Sequence, residues 1–306
     1  MVRVAEIGVS ELPRLVAVRD AVRPDDPLTP SDLVDWRDQA EDMVWLVATD
    51  AEGDVGAGMA LVGWHSRTGT ARAEAWTSPA ARGRGVGQAL FEALLAWAAE
   101  RGSVTVETKV AEDDRASLAW ADRRGFREVG RELRVSLDLS SVEAPAVDPP
   151  AGIEVVSWAD RPELANGLYE VFCEASPDIP GAEQAELPSF ERWLADDMQG
   201  TSDRPECVFV ALAGGETVGF AKLSIPQEAA GTAWHDLTGV KRAWRGRGIA
   251  SALKRAQISW AKQHGYTRLV TWNEERNAPI RRLNQAYGFR PDGGMIVLST
   301  MLSGPD

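Results

Sequence analysis

One stretch of the chain recurs at a fixed distance. "ARGRGVGQALFEALLAWAAERG" (Ala81–Gly102) resembles "WRGRGIASALKRAQISWAKQHG" (Trp244–Gly265), and Arg82 and Arg245 stand 163 residues apart (245 − 82). Trp97 and Trp260 keep that offset, as do Gly125 and Gly288 of "RRGF" and "AYGF". An offset preserved without a gap means two copies of one folding unit. The length of 306 residues suits two domains of about 150 residues each, and 44% hydrophobic residues supply two cores. Between the copies, "SSVEAPAVDPPAG" (Ser140–Gly152) has the prolines, small residues and acids of a linker. The boundary is expected near Pro149, giving domains 1–148 and 149–306.

Each copy has the same order of patterns. A short β-like stretch comes first ("VRVAEI", "IEVVSW"), then a helical one ("ELPRLVAVRDAV", "RPELANGLYEVFCEA"). Alternating or apolar strands follow: "VWLVATD" and "GAGMALVGW" in one copy, "CVFVALA" and "TVGFAKLSI" in the other. Another strand ("TARAEAWT", "TAWHDLTGV") leads into a Gly-Arg turn and a helix with an apolar stripe at Ile249, Leu253, Ala256 and Trp260. A strand, a helix and a last strand close the unit. Strands and helices mixed in this order predict an α/β (α+β mixed) domain built on one central sheet.

The Gly-Arg turn lies where a helix begins. The first amides of a helix have no internal partners, and the macrodipole adds positive charge there. Gly246 and Gly248 carry no Cβ, so a ligand can approach the backbone, and Arg245 and Arg247 add charge. Such a turn suits a pyrophosphate. The turn lacks the Gly-Lys-Ser/Thr of a P-loop, and neither GRGIAS nor GRGVGQ meets the dinucleotide pattern GxGxxG.

The spacing Arg-x-x-Gly-x-Gly/Ala, with Arg245, Gly248 and Ala250 in the second copy and Arg82, Gly85 and Gly87 in the first, resembles the acyl-CoA loop of the GNAT N-acetyltransferase superfamily. The strand ending "LTGV" just before it and the ending "RRLNQAYGF" resemble that family too, so the similarity runs through both copies. The resemblance implies a tandem GNAT protein that moves an acetyl group from acetyl-CoA, its cosubstrate, to a primary amine of a small molecule by direct transfer. It implies cofactor contacts at Thr238, Gly239, Val240, Arg245, Gly246, Arg247, Gly248, Ile249, Ala250, Ser251 and Asn277, and at Arg82, Gly83, Arg84, Gly85, Val86 and Gly87 of the first copy.

Direct transfer needs a neutral amine and a proton for the leaving thiolate. On an ideal strand Trp234, Asp236, Thr238 and Val240 share one face, with His235 on the other unless a bulge re-aims it. Asp236 is the candidate base, acting through a water; it needs burial to raise its pKa. The alternative for Asp236 is a plain strand residue. At the offset of 163, Asp236 falls on Ala73 and Val240 on Thr77, with Glu74 one position out of phase; Asn277 falls on Asp114. The second copy is therefore expected to be catalytic and the first degenerate. Where the family often has a Tyr as general acid, this chain has Asn284, with Ala121 in the first copy; Tyr287, three residues on, is the candidate substitute, the alternative being protonation of the thiolate by solvent. In "SPDIPGAEQAELPSFERW" (Ser176–Trp193), Asp178 and Glu183 are candidates to attract a cationic acceptor.

The formal charge of −13 disfavours nucleic acid and anionic membranes. No apolar run approaches the ~20 residues of a membrane helix, so a cytoplasmic protein is expected, as monomer or homodimer. Two cysteines, Cys173 and Cys207, form no CxxC pair, and three histidines show no ligand spacing, so no metal is expected. The rival readings are a non-catalytic acyl-CoA-binding protein, and an enzyme using a longer acyl donor or a peptide N-terminus.

Overall fold

A computed structural model of the chain describes residues 2–24, 27–63, 68–180, 187–226 and 231–302. Its mixed α/β architecture is the one expected from the sequence. It divides into two compact units, one of residues 1–130 with 296–306, the other of residues 131–295.

In the first unit the strands run β1 (Arg3–Glu6), β2 (Asp42–Asp50), β3 (Gly53–Val62), β4 (Thr70–Thr77) and β5 (Thr105–Ala111) in that spatial order. The last strand of the chain, β12 (Arg290–Met301), lies next to β5. Both faces of this sheet are covered, so β2 reads as an unbroken apolar run. Its Val44, Leu46 and Ala48 pack with Leu90 and Leu94 of α3 (Val86–Glu100). Its Met43, Trp45 and Val47 pack with Leu12 and Leu15 of α1 (Leu12–Val22) and Leu33 of α2 (Pro30–Gln39). The helix α4 (Arg115–Asp122) adds Ala121 to the α3 side. Ile296 and Leu298 of β12 are buried in that same core.

The second unit runs β6 (Arg127–Asp138), β11 (Arg268–Glu274), β10 (Thr232–Val240), β9 (Glu216–Ser224), β8 (Asp203–Ala213) and β7 (Ile153–Ser157). Here β6 pairs antiparallel with β11 from Arg268 against Asp138 to Glu274 against Glu132. Cys207, Phe209 and Ala211 of β8 face Ile249 and Leu253 of α7 (Ile249–Gln263). Val208, Val210 and Leu212 face Leu168 and Val171 of α5 (Ala165–Ala175) and Trp193 of α6 (Phe190–Met198). The last helix is α8 (Ala278–Ala286).

Neither unit is one copy of the repeat. The core beneath α7 includes Leu137 and Leu139 from the end of the first copy. The segment read as a free linker belongs to that unit as well. Arg255, Ser259 and Lys262 share one stripe of α7 and bind its carbonyls: Ser259 Oγ donates to Pro145 at 3.1 Å, Lys262 Nζ reaches Val142 and Arg255 reaches Asp148. Three donors at helical spacing thus hold an extended chain that has no ladder of its own.

Two helices lie outside the expected elements. In α2, Thr29 accepts from Asp32 N–H while Asp32 accepts from Thr29 N–H, with Pro30 in the first turn. In α6, Ser189 accepts from Arg192 N–H, and Phe190, Trp193 and Leu194 form the inward stripe. The caps Thr29 and Ser189 are the signals that mark them. Among the described residues no helix is long and apolar enough to cross a membrane.

Candidate functional site

The Gly-Arg turn forms as the sequence requires. Gly246 and Gly248 have φ of +74° and +85°, and Gly83 and Gly85 have +75° and +83°. Nothing lies within 4 Å of a Cβ built on Gly246, so glycine is demanded there by backbone conformation and not by space. Ala252 N–H closes the first α-helical bond, to Gly248 C=O. The amides of Ile249, Ala250 and Ser251 precede that bond and point out of the helix end.

The side chains of the turn fold back on it. Arg245 donates Nε to Val240 C=O at 2.9 Å and pairs with Asp178 at 2.7 Å. Arg242 makes two bonds to the same carboxylate. Asp178 is held at about 2 by hydrogen bonds from Arg242 and Arg245, so it braces the turn where an acceptor-attracting role was expected. Glu183 lies outside the described residues. Arg247 stacks over the Trp244 ring at 4.7 Å. Ile249 and Val86 are buried core side chains, leaving only their backbone to a ligand. Ser251 Oγ lies 2.6 Å from Tyr287 Oη, and Arg255 donates to that hydroxyl at 3.2 Å.

Beside the turn the sheet opens. β10 and β11 pair in parallel only from Thr232 to Trp234, against Arg268 to Val270, and β10 then continues to Val240 without β11. The first unit opens the same way, since β4 and β5 pair only from Thr70 to Arg72. The backbone of the separated strand is thereby released from the sheet on the side of β11.

The two units differ at that opening. Between His235 and Thr238 of β10 the partner strand advances only from Leu223 to Ala221, so Asp236 and Leu237 together face Lys222 in a β-bulge. In the first unit Ala73, Glu74 and Ala75 pair one for one with Ala60, Met59 and Gly58. The bulge corrects the expected single face. His235 and Val240 lie toward α7, and Gly239 lies toward α5, where an added Cβ would meet Val171 and Ala175 at 3.1–3.2 Å. Gly239 is thus explained by helix packing. His235, opposite Leu223, takes the place that Ala73 holds opposite Ala60, and Glu74 stands where the bulge stands.

Asp236 is 48% exposed and pairs with the buried Lys222 ammonium at 2.8 Å. The burial expected for a raised pKa is absent. Lys222 also bonds Asp203 at 2.8 Å and the Asp197 carbonyl. Burial opposes its charge, yet Asp236 and Asp203 hold the ammonium above the usual lysine range. Burial pushes the Asp197 carboxyl up to about 7, against the pull of Lys222. Asp197 carries no local sequence signal; only the fold buries it.

Asn284 and Tyr287 part company. Asn284 is 2% exposed and donates Nδ2 to Asn273 Oδ1 at 2.8 Å inside the core. Tyr287 is the one that reaches the first turn of α7. Asn277 caps α8, accepting from Ile280 N–H at 3.4 Å, as Asp114 caps α4. In the first unit Arg84 is tied to Asp50 and, at 3.4 Å, to Glu52, and a Cβ on Gly87 would meet Thr77 Oγ1 at 3.2 Å. Cys207 is a buried thiol, pushed up to about 12 by desolvation, and so is inert as a nucleophile.

Beneath the bulge, Lys254 of α7 is 1% exposed with its Nζ 3.3 Å from His235 Nδ1 and 5.3 Å from the Phe289 ring centre. Burial pulls Lys254 down to about 7 and His235 well below its usual value. The unfolded chain keeps the lysine proton to a much higher pH, so stability must rise with pH above 7. The shifts of Asp197 and Cys207 act below pH 7 and above pH 9 respectively. Urea unfolding at pH 7, 8 and 9 is expected to show this rise in the natural protein and to lose it in Lys254→Met. The variant is expected to be more stable at pH 7 by about 1–4 kcal/mol. Equal slopes for the two proteins would exclude a buried, titrating Lys254.

Comparison with known proteins finds one family model matching the sequence in two stretches. The model of the family described as Acetyltransferase (GNAT) family matches residues 15–126 and again residues 165–289. A mycothiol acetyltransferase of Parafrankia sp. (strain EAN1pec) is 27% identical over 76% of this chain and 78% of that protein. A GCN5-related N-acetyltransferase from Sphaerobacter thermophilus has the same fold, with a TM-score of 0.79 at 21% identity over 100% of this chain and 97% of that one. A tandem GNAT protein from the clavulanic acid biosynthesis pathway also superposes at 0.79, with 20% identity and 100% of both chains covered. With two family matches, each spanning a glycine-arginine turn and an opened sheet, the chain belongs to the GNAT acetyltransferase family and carries its unit twice.

Proposed function

We propose that the protein transfers an acetyl group from acetyl-CoA to the primary amine of a small molecule, with the second unit as the catalytic one. The observation that carries this reading is the bulged, opened β10 running directly into the Gly246–Gly248 turn, an arrangement the first unit has only without the bulge. The residues fit the cosubstrate. The first-turn amides of α7 would take the pyrophosphate, under the positive field of Arg245 and Arg247. The freed backbone of Thr238–Val240 would run along the pantetheine arm, with Asn277 and Ser251 as further contacts.

The acceptor chemistry belongs to the other face. Asp236, Asp197 and Asp203 surround one lysine, which leaves a net negative charge to attract an ammonium. Asp197, raised by burial to about 7, has the basicity to take a proton from an ammonium, and Asp236 would act on the acceptor through a water. Tyr287 stands on the opposite side, by Ser251, where it can protonate the leaving thiolate. The first unit keeps a glycine turn but commits Arg84 to carboxylates, which fits a scaffold or a weak cofactor site.

The test is calorimetric titration of acetyl-CoA into the natural protein and into Arg82→Glu/Gly85→Glu, with acetyl transfer to a panel of small primary amines. One site, unchanged by the double substitution, is expected, together with turnover that falls about 10²-fold in Asp236→Ala at unchanged acetyl-CoA affinity. Absence of acetyl-CoA binding would overturn the reading. Binding with no turnover on amines, peptides included, would leave a binding protein.

A further inference from the structure

Four polar residues lie buried around the β10 bulge. His235 is the last residue of β10 before the register shifts, and Lys222 is the single β9 residue that faces the two bulged ones. Both are held from α7. Lys254 Nζ lies 3.3 Å from His235 Nδ1, and one turn on, Gln257 Nε2 donates to Lys222 C=O at 2.9 Å. Gln257 is 0% exposed, and neither its Oε1 nor His235 Nε2 has a partner within hydrogen-bond geometry among the described residues. Lys222 is gripped on the other face too, where its ammonium meets Asp236 of the bulge and Asp203.

Such a cluster is expensive. Buried polar atoms without partners destabilise a fold, and apolar groups of like size do better. The first unit shows the cheaper solution. Its positions corresponding to His235, Lys222, Lys254 and Gln257 are Ala73, Met59, Phe91 and Leu94, all apolar, and its ladder there is regular. Within one chain, the polar cluster and the bulge are present together in one copy and absent together in the other.

We propose that Lys254, Gln257 and His235 are positioning residues that pin the β10 bulge, and so fix the direction in which the Thr238–Val240 backbone meets the acyl donor. This rests on the second unit's being catalytic. The mechanism is mechanical. A bulge needs one residue to drop out of pairing, and a neighbouring strand can close up to restore a regular ladder. Gln257 holds the Lys222 carbonyl in place across from the extra residue, and Lys254 keeps His235 under α7, so the slip that would turn Asp236 inward is blocked. The polar groups remain because they specify one register, as single buried polar residues fix the register of coiled coils.

The experiment uses the full chain with Gln257→Leu and Lys254→Met separately, and the triple exchange His235→Ala/Lys254→Phe/Gln257→Leu that copies the first unit. Amide hydrogen exchange of the free protein, read by mass spectrometry on peptides covering Trp234–Val240, needs no ligand. The exchange rate in that segment is expected to change about tenfold in the triple variant, equivalent to about 1.4 kcal/mol, with β7 and β8 unaffected. The single variants are expected to melt no lower than the natural protein. In an amine-acetylation assay they are expected to lose at least about tenfold in kcat with KM for acetyl-CoA changed less than about threefold. A simple packing defect would do the reverse, lowering the melting point and sparing kcat. Unchanged exchange across Trp234–Val240 in a folded triple variant would overturn the proposal, as would natural kcat in both single variants. If the natural protein itself fails to bind acetyl-CoA, the catalytic reading falls while the exchange result still decides whether the cluster pins the bulge.

Discussion

A chain cut to residues 149–306, one whole copy of the repeat, is expected to lack a cooperative melting transition, whereas residues 131–295 alone are expected to melt as a unit. The shorter cut removes the partner of β11 along seven paired positions, from Arg268–Asp138 to Glu274–Glu132. It also removes Leu137 and Leu139, which are 2% and 1% exposed in the core under α7. Loss of a buried leucine side chain costs about 2–5 kcal/mol, and a whole domain is stable by only about 5–15 kcal/mol. Two such residues and a strand therefore amount to most of the stability. The cut would further strip the 139–148 segment from α7, and would keep Ile296 and Leu298, whose core lies in the first unit. Circular dichroism melts of the two fragments make the comparison. Equal, cooperative melting would mean that β6 is dispensable to the second unit.

Gly248→Glu is expected to lower acetyl-CoA affinity about 100-fold, or about 2.7 kcal/mol, given the proposed site. Gly248 has φ of +85°, and the nearest atom to an added Cβ is Pro150 Cγ at 3.5 Å. The side chain has room, so the fold pays only the left-handed backbone strain, about 1–2 kcal/mol. A carboxylate there would stand at the helix end that the donor's pyrophosphate needs, replacing attraction with repulsion. Gly248→Ala is the control, carrying the strain without the charge, and is expected to weaken binding much less. Calorimetry on both variants separates the terms. Equal affinity for Gly248→Glu and the natural protein would place the cofactor away from α7.

Much of the site is local chemistry, and local chemistry is readable. The glycines at 83, 85, 246 and 248 fall in the turns the sequence marks, and all four take the positive φ that glycine adopts most readily. The strand "TAWHDLTGV" and the helix after the turn fall where alternation and the apolar stripe put them. Asp236 lies on the strand that alternation places before the turn; its bond to Lys222 comes from a neighbouring strand and leaves no mark in the sequence around it. Asp178 and Asp197 show the limit more sharply. Both are acids in helical or turn segments. One is neutralised by Arg242 and Arg245 and the other raised toward neutrality by burial, each through residues distant in the chain.

By itself the sequence determined that one unit occurs twice, which elements compose it, and where its glycine-arginine turns lie, because propensity, alternation and helical spacing act over a few residues. The tertiary structure alone decided which strand pairs with which. A β-strand has the same period whichever neighbour it meets, so β6 beside β11 and β12 beside β5 read no differently from pairing within each copy. It also decided the bulge. An extra residue in β10 exists only relative to β9, and the ungapped offset of 163 conceals it, since the copies agree after Thr238 and stand one residue out of step before it. Pairing energy is collected across the sheet, between residues far apart in the chain, and no window along one strand contains it.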